Sequence, residues 1–317
     1  MNKVLVLGGT GFIGRHVCEK LHRRGWHITV PTRQIAKAAA VQHLPRVDVV
    51  QADVHEPRQL LRLLDGQDAV VNLVAILHGS EDDFDRVHVE LPLTLAEACL
   101  ADAACRLVHL SALGAAPDAP SMYQRSKARG EEVLRATGLA LTILRPSVVF
   151  GAGDRFLNLF ARLQSVLPVL ALAGADSKLQ PVWVEDVANA VAACLQDDAI
   201  GRASVGQTFD CVGPEVMSLR ELVQLAGRVG STQRPVIGLP WALGRVQATL
   251  MEWLPGEPLM SRDNLDSLRV PNVATGQWPG LERLGIAPAS VRSIAPSYLG
   301  ARTTRSRLLQ WRKTARR

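Results

Sequence analysis

Residues 3–14 place a short apolar strand directly before a glycine-rich turn and the start of a helix. The segment reads Lys-Val-Leu-Val-Leu-Gly-Gly-Thr-Gly-Phe-Ile-Gly. Gly8 permits a tight turn, Gly11 lets a phosphate approach the backbone, and Gly14 allows the helix to pack closely on its strand. Because amides at the start of a helix bind phosphate oxygens, the segment predicts a dinucleotide-binding unit.

The residues that follow support this interpretation. Ile13, Val17 and Leu21 recur at helical spacing, and Gly25 supplies a stop. A glycine motif alone is weak evidence, since glycines also mark ordinary structural turns. The strand before it and the helix after it favour nucleotide binding.

Apolar runs alternate with helical patterns through the first half of the chain. These runs are residues 28–30, 47–50, 69–74, 106–110 and 139–144. Strands this apolar are covered on both faces, and the intervening helices serve as crossovers. We predict an α/β fold with a Rossmann-type, doubly wound parallel sheet.

The alternation loosens after residue 150, which indicates a second, smaller lobe. We assign residues 1–150 to the dinucleotide-binding domain, to which residues 180–212 return. Residues 151–179 and 213–300 are predicted to form a discontinuous C-terminal lobe for substrate or partner, and 301–317 a basic tail.

Residues 239–254 predict an amphipathic helix within this lobe. Its apolar stripe consists of Leu239, Leu243, Val246, Leu250 and Trp253. Stripes of this kind usually pack in a core. The alternative is that this stripe, together with Trp241, lines a hydrophobic pocket or meets a membrane face, which suits an isoprenoid or quinone-like ligand.

The net charge of +6 is concentrated in the tail. With seven of the 36 basic residues beyond residue 301, the remaining 29 nearly balance the 30 acidic ones. A nucleic-acid partner is therefore not expected. A solvated tail and a peripheral contact with acidic membrane lipid both fit this composition.

Cysteine usage and hydropathy point to the cytoplasm. The five cysteines are odd in number and lack Cys-x-x-Cys spacing, so neither a disulfide framework nor a metal site is expected. The N-terminal apolar run breaks at Gly8, unlike a signal peptide, and no transmembrane helix is predicted. The tail, if it contacts lipid, lies at the inner face of the membrane.

The end of the second strand indicates which dinucleotide is bound. NAD enzymes usually place an acid here for the ribose hydroxyls, but no acid lies between Glu19 and Asp48. Instead, Thr32 and Arg33 occupy the turn and Lys37 follows one helical turn later, an arrangement that suits a 2′-phosphate. The alternative is that both cations are solvated surface charges. We expect NADP(H) in preference to NAD(H).

Two further cofactor contacts are expected after the next strands. Asp53 and Val54 follow the third strand, where a carboxylate can accept a hydrogen bond from the adenine amino group. Asp53 fits equally well as a cap of its own loop. Ala75 follows the fourth strand, where a small residue leaves space beside the cofactor.

Tyr123 and Lys127 are four residues apart and share one face of a predicted helix. A neighbouring ammonium and an oxidised nicotinamide favour the phenolate, which allows a tyrosine to act as acid or base. Lys127 can also hold the nicotinamide ribose. Ser111 follows the strand at 106–110, where its hydroxyl can polarise a substrate carbonyl. We predict these three as catalytic residues, the alternative being a chance pairing on an exposed helix.

These motifs resemble the short-chain dehydrogenase/reductase superfamily. Segments 145–151 and 182–187 are similar to its extended and atypical branches, which are NAD-dependent epimerase/dehydratase-like. Segments 150–158 and 180–186 are similar to the NADPH-binding accessory subunit of respiratory complex I and its bacterial relatives. The resemblance implies a tightly held NADPH, and for some relatives a link to ubiquinone metabolism.

The resemblance also assigns roles by position. It places Arg33 at the 2′-phosphate, Asp53 at the adenine and Pro146 on the nicotinamide side. Extended members commonly have asparagine where this chain has His88, which either carries a water-linked proton relay or packs as a core histidine. The residues implied around the pyrophosphate are Gly8, Thr10, Gly11, Phe12, Ile13 and Gly14.

Two functions fit these features. The first is NADPH-dependent hydride transfer to a carbonyl of a small hydrophobic substrate related to quinones. The second is a non-catalytic accessory or assembly subunit, stabilised by NADPH, whose protein partner supplies the function. Tyr123 and Lys127 favour the first, whereas His88 and the complex-I-like segments favour the second.

Overall fold

The computed structural model describes residues 2–101, 106–253 and 260–299. The chain divides into two compact units. The first contains the chain up to Pro146 together with Val184–Cys211 and Ala274–Ala287. The second contains Ser147–Trp183, Val212–Val273 and the chain from Pro288. The basic tail at 301–317 lies outside the described residues.

The segment at 274–287 lies in the first unit, whereas the sequence analysis places it in the lobe. The amide of Asp210 donates a hydrogen bond to the carbonyl oxygen of Pro279 at 2.9 Å. The guanidinium groups of Arg135 and Arg145 lie over the ring of Trp278. These contacts depend on residues far apart in the sequence, so no local pattern indicates them.

The strands are β1 (Lys3–Leu7), β2 (His27–Thr32), β3 (Val47–Gln51), β4 (Ala69–Asn72), β5 (Arg106–Leu110), β6 (Ala140–Pro146), β7 (Val149–Phe150), β8 (Leu170–Ala173), β9 (Lys178–Leu179), β10 (Val182–Trp183), β11 (Thr208–Cys211), β12 (Met217–Ser218) and β13 (Val236–Leu239).

The helices are α1 (Phe12–Arg23), α2 (Pro57–Leu64), α3 (Glu81–Asp85), α4 (Leu91–Ala101), α5 (Met122–Ala136), α6 (Leu157–Val166), α7 (Val184–Cys194), α8 (Ala199–Ala203), α9 (Leu219–Val229), α10 (Trp241–Glu252), α11 (Arg262–Ser267) and α12 (Val291–Leu299). Residues Arg86–Glu90 form a π-helical turn, and Ile35–Ala40 and Leu281–Leu284 form 3-10 helices.

A seven-stranded parallel sheet runs through the described part of the first unit, in the order β3-β2-β1-β4-β5-β6-β11. Strands β1, β2 and β3 follow one another from the centre of the sheet to one edge. The chain then returns to the centre, and β4, β5, β6 and β11 follow one another to the other edge. This confirms the predicted Rossmann-type, doubly wound α/β fold. The reversal between β1 and β4 leaves a crevice at the carboxyl ends of these strands.

Burial differs between the strands of the sheet. The apolar residues of β1 and β4 are almost fully buried, as expected for strands covered on both faces. The residues of β11, an edge strand, are buried as well. The other edge strand, β3, differs, because Val50 is 37% exposed. The expectation that every strand is covered on both faces is therefore wrong for β3.

The described part of the second unit contains three two-stranded sheets, which pair β7 with β10, β9 with β12, and β8 with β13. Helices α6, α9 and α12 contribute to one apolar core with these strands. Phe150, Leu172 and Leu222 are among its buried side chains. The predicted smaller lobe therefore has a hydrophobic core of its own.

The helix predicted at 239–254 starts later in the structure than the sequence indicates, and its apolar stripe faces solvent. Leu239 ends β13, and α10 starts after Pro240, because proline fits a helix start but removes a strand hydrogen-bond donor. Leu243, Val246, Leu250 and Trp253 are 56, 57, 57 and 80% exposed. The expectation that this stripe packs in a core is therefore wrong.

Among the described residues, no helix is both long enough and apolar enough to cross a bilayer. The exposed stripe of α10 belongs to a helix of 12 residues.

Candidate active site

The parallel strands bring the predicted site residues to one edge of the sheet. Gly8 follows β1, Thr32 ends β2 and Ala75 lies just beyond β4. Ser111 follows β5 and Pro146 ends β6. Because ligands bind at the carboxyl edge of such sheets where the strand order reverses, these residues face one crevice.

Each of the three motif glycines has a different environment. Gly8 has a φ of +79°, and a Cβ there would lie 3.1 Å from the carbonyl carbon of Leu73. A Cβ on Gly14 would collide with the carbonyl oxygen of Gly8. A Cβ on Gly11 would meet one atom, that same oxygen, at 3.1 Å. The fold therefore requires glycine at 8 and 14, whereas position 11 borders open space.

The first turn of α1 is suited to an anion. Gly11 is its N-cap residue, and among the described residues no side chain caps this end. The first turn also contains no acidic residue. The amides at Phe12 and Ile13 are therefore available, at the positive end of the helix dipole, to a pyrophosphate.

Lys127 is anchored at the end of β5. Its side chain is 1% exposed, and its Nζ donates a hydrogen bond to the carbonyl oxygen of Leu110 at 3.0 Å. Burial lowers the pKa of Lys127 to about 8, although the nearby carboxylate of Glu131 raises it. An ammonium therefore lies beside the strand end from which Ser111 extends.

Ser111 has a hydroxyl without a partner. The residue is 3% exposed, and its amide donates to the carbonyl oxygen of Leu144 at 2.8 Å. Its Oγ is buried and accepts or donates no hydrogen bond among the described residues. Buried polar atoms are normally paired, so this hydroxyl retains its capacity to form a hydrogen bond.

Tyr123 lies one helical turn before Lys127 on α5. Its half-buried ring stands edge-on to those of His88 and Phe84, with ring centroids 5.5 and 6.4 Å apart. Burial raises the pKa of Tyr123 to about 12. Desolvation is the cause of this shift, so Tyr123 is a protonated phenol at neutral pH.

His88 is held by hydrogen bonds at both ring nitrogens. The amide of Ile76 donates to Nε2 at 3.2 Å, so Nδ1 carries the proton and donates to Ser126 Oγ at 2.8 Å. That hydroxyl in turn donates to the carbonyl oxygen of Tyr123 at 2.9 Å. Burial lowers the pKa of His88 to about 2. Of the two interpretations of His88, the structure shows the packed core histidine.

The backbone around His88 also supports α5. His88 belongs to the π-helical turn, and a Cβ on Gly130 of α5 would collide with the carbonyl oxygen of His88. The backbone of α5 therefore packs directly against the backbone of the π-helical turn, with no side chain between them. This contact determines the distance of α5, which carries Tyr123 and Lys127, from the turn.

A buried charge network that the sequence analysis missed lies beyond Lys127. Glu131 follows it by one turn and is fully buried. Its carboxylate accepts from Arg145 at 2.8 and 2.6 Å and from Arg135 at 2.8 Å. Both guanidinium groups lie over the ring of Trp278, at 5.5 and 5.8 Å. The sequence contained one indication of this network, because Glu131 lies four residues after Lys127 and therefore on the same face of the helix.

Asp210 adjoins this network on β11. It pairs in register with Arg145 of β6 and is 2% exposed. Its Oδ1 has no hydrogen-bond partner among the described residues. Burial raises the pKa of Asp210 to about 6, although Arg145 opposes this shift.

A sequence model of the NAD dependent epimerase/dehydratase family matches residues 4–206, more than half of the chain. The chain belongs to this family. The matched region includes the glycine motif, Ser111, Tyr123 and Lys127, which confirms the resemblance to the extended short-chain dehydrogenases and reductases.

Curated relatives of this epimerase/dehydratase-family chain include respiratory subunits and a reductase. The chain is 31% identical over 296 residues to NADH dehydrogenase (ubiquinone) 1 alpha subcomplex subunit 9, mitochondrial, of Mus musculus, covering 89% of this chain and 76% of that protein. It is 30% identical over 239 residues to a ceramide reductase of Caulobacter vibrioides, covering 75% and 73%. The similarity to complex I subunits is thus confirmed.

Solved structures of the same fold contain nicotinamide dinucleotides. An NADPH-dependent quinone oxidoreductase of Escherichia coli complexed with NADPH matches with a TM-score of 0.73 and 17% identity, over 93% of this chain and 99% of that one. A UDP-glucuronic acid 4-epimerase of Bacillus cereus in complex with NAD matches at 0.70 and 18%, over 94% and 98%. These identities establish the fold, and the family identifies the chain as NAD(P)-binding.

The predicted 2′-phosphate residues lie at the end of β2. Thr32 is buried, and its Oγ1 donates to the carbonyl oxygen of Gln34 at 3.1 Å. Arg33 and Lys37 are exposed, and neither forms an ion pair with a described residue. Their charges are therefore not neutralised by another described residue.

Asp53 caps its own loop. Its Oδ1 accepts from the amide of His55 at 3.1 Å, and its amide donates to Gln59 Oε1 at 3.0 Å. The structure thus shows the loop-cap interaction, one of the two roles considered for this carboxylate. Val54 packs against the core of the first unit.

The remaining predicted contacts differ in exposure. Ala75 is exposed beyond β4, whereas Pro146 is buried and its carbonyl oxygen accepts from the amide of Leu113 at 2.9 Å. Thr10, Phe12 and Ile13 are half-buried in the glycine loop and the first turn of α1.

One cluster outside the crevice has the spacing of metal ligands. His16, Glu19 and Glu185 bring their ligand atoms within 4.8 Å of one another. Glu185 is however paired with Lys20 at 2.7 Å, and Glu19 with Arg23. Neighbouring cations thus already balance these carboxylates.

Proposed function

We propose that this chain is an NADPH-dependent reductase that delivers a hydride to a carbonyl group of a hydrophobic, quinone-related substrate. The observation that carries this proposal is the arrangement at the end of β5. There, the ammonium of Lys127 binds the Leu110 carbonyl, and the next residue, Ser111, has a buried hydroxyl without a partner.

Two features of the first unit support dinucleotide binding. Open space beside Gly11 and the uncapped first turn of α1 suit the pyrophosphate. Lys127 is placed to donate to the nicotinamide ribose, since an ammonium has three donors and Leu110 uses one. Bound there, the cofactor would supply the hydride.

Each of the three catalytic residues has a distinct role in this reaction. Ser111 Oγ donates to the substrate carbonyl oxygen and orients it. The Tyr123 hydroxyl, protonated at neutral pH, gives its proton to that oxygen as charge develops. Lys127 stabilises the phenolate that remains.

Arg33 and Lys37 support a preference for NADPH. Both are exposed cations without ion pairs among the described residues, and the sequence has no acid between Glu19 and Asp48 to bind ribose hydroxyls directly after β2. A 2′-phosphate would pair with them by charge-assisted hydrogen bonds.

The test compares the two tyrosines of the chain. Purified protein is assayed for NADPH oxidation with a panel of quinones and hydrophobic ketones. Tyr123→Phe should lower kcat by a factor of about 10² to 10⁴ and leave NADPH binding unchanged. The control is Tyr298→Phe, since Tyr298 lies in the second unit and binds Asp154.

A second candidate function is an NADPH-stabilised accessory subunit. Two observations favour it. The chain is 31% identical to a respiratory subunit in an alignment that covers 89% of this chain. In addition, both ring nitrogens of His88 are hydrogen-bonded within the protein. In that case purified protein retains NADPH, no acceptor oxidises it, and Tyr123→Phe has no effect in any assay. That result would overturn the reductase proposal.

The cysteines support a cytoplasmic setting. Cys18, Cys99, Cys194 and Cys211 are buried, and among the described residues no disulfide joins them. Burial raises the pKa of Cys18 to about 12 and that of Cys194 to about 11, which keeps both unreactive. Within this proposal the reductase acts in a reducing compartment.

A further inference from the structure

Helix α10 of the second unit presents an apolar surface to solvent. This surface, the α10 apolar face, consists of Leu243, Val246, Leu250 and Trp253. At 100° per residue, all four lie within about a quarter of the helix circumference. Trp253 is 80% exposed, and large aromatic side chains seldom remain this exposed without a partner.

The orientation of α10 is fixed by its opposite side. Gly244 and Ala248 are buried there, and a Cβ on Gly244 would collide with Ala173 of β8. Gln247 Nε2 also donates to the carbonyl oxygen of Ala171 at 3.4 Å. The helix therefore lies directly on β8, and its apolar face cannot turn inward without breaking this packing.

The sequence segment that contains this face has more basic than acidic residues. Between Glu221 and Glu252 it contains three exposed arginines, Arg228, Arg234 and Arg245, and no acidic residue. Glu252 itself is paired with Arg262 at 2.8 Å. The segment that contains the α10 apolar face thus complements a negatively charged surface.

Composition favours a lipid surface over a protein. The four side chains, which together expose on the order of 500 Å², are three aliphatic side chains and one tryptophan. A short helix with aliphatic side chains, a terminal tryptophan and nearby arginines is typical of segments that lie in the bilayer interface.

We propose that the α10 apolar face docks on a membrane surface that contains anionic phospholipid. Leu243, Val246 and Leu250 enter the boundary between headgroups and acyl chains, with Trp253 at headgroup level. The arginines interact with lipid phosphates. This docking does not depend on the proposed reductase activity.

The test is flotation of the full chain with vesicles of phosphatidylcholine mixed with phosphatidylglycerol, and with phosphatidylcholine alone. We expect recovery with the mixed vesicles and little with the neutral ones. Leu243→Glu should weaken partitioning about tenfold or more. The matched control is Leu61→Glu, since Leu61 of α2 is 50% exposed in the first unit and should float as the parent does.

Further measurements separate the alternatives. Brominated lipid should quench tryptophan emission of the parent, and Trp253→Phe should lose most of that quenching. Absence of flotation, equal flotation of Leu243→Glu, or self-association abolished by Leu243→Glu would each overturn the proposal. So would a chain shortened to residue 301 that fails to float while Leu243→Glu still does, because the basic tail would then be the contact.

Discussion

The Nζ of Lys127 lies 3.0 Å from the carbonyl oxygen of Leu110 and donates a hydrogen bond to it. This bond joins α5 to the end of β5, directly before Ser111. The helix that carries Tyr123 is thus positioned relative to the sheet edge by the same lysine that serves the proposed reaction.

The charge of Lys127 should make the proposed NADPH binding depend on pH. Burial lowers its pKa to about 8, so the ammonium is present below that pH and is lost above it. We expect NADPH affinity to fall by up to about tenfold between about pH 7 and pH 9. Lys127→Met should bind NADPH weakly, and its affinity should not change with pH. Lys178→Met, a control at an exposed lysine, should show the same pH dependence as the parent. Calorimetric titration across this range checks the prediction, which fails if Lys127→Met has the parent slope.

Alanine substitutions at Gly14 and Gly11 should have different effects, the first on stability and the second on nucleotide binding. Gly14→Ala should lose about 3 kcal/mol or more of unfolding free energy, because its Cβ collides with the Gly8 carbonyl. Gly11→Ala should change stability by about 1 kcal/mol or less, yet weaken NADPH binding about tenfold or more, since its Cβ enters the pyrophosphate space. Denaturant unfolding and nucleotide titration measure both. Equal effects of the two substitutions on stability would contradict this account.

Arg33 should determine cofactor preference. Arg33→Ala is expected to lower NADPH affinity by about tenfold to a hundredfold and to leave NADH affinity nearly unchanged, because only NADPH has the 2′-phosphate. Arg58→Ala, an exposed cation of α2, serves as the control. The measurement is the dissociation constant for each nucleotide. If Arg33→Ala weakened NADPH and NADH binding equally, Arg33 would not determine cofactor preference.

His88 should contribute to acid sensitivity. Its pKa is about 2 in the folded chain and near 6.5 when unfolded, so below about pH 6.5 only the unfolded state takes up the proton. This group alone should reduce the unfolding free energy by about 1.4 kcal/mol per pH unit on acidification.

The matched pair for this effect is His88→Gln and His43→Gln, since His43 is exposed. At neutral pH, His88→Gln should lose about 1–3 kcal/mol, because its hydrogen bonds to Ile76 and Ser126 are disturbed. Its stability should then decline less steeply with acid than that of His43→Gln. Identical pH slopes in denaturant titrations would show that His88 takes up its proton in both states.

The sequence predicted the elements whose causes are local. Apolar runs and glycine spacing identified the parallel sheet and the turn at Gly8, because each depends on residues close together in the chain. The glycine motif also located the crevice, since strand order follows from crossover topology. Tyr123 and Lys127 shared a predicted face because helical periodicity alone determines it.

Features that depend on distant residues were not predictable. The pairing of Glu131 with Arg145 and the ring of Trp278 joins three separate segments. The state of Tyr123 depended on burial, which spacing does not reveal. Helix α10 had the right periodicity, but nothing in the sequence indicated which side would contact β8.

The direct contact of Gly130 with the carbonyl oxygen of His88 has a consequence for how this site can change over evolutionary time. Any side chain at position 130 would lift α5, and with it the phenol and the amine, away from Ser111. In related chains the π-helical turn and this glycine should therefore change together or not at all.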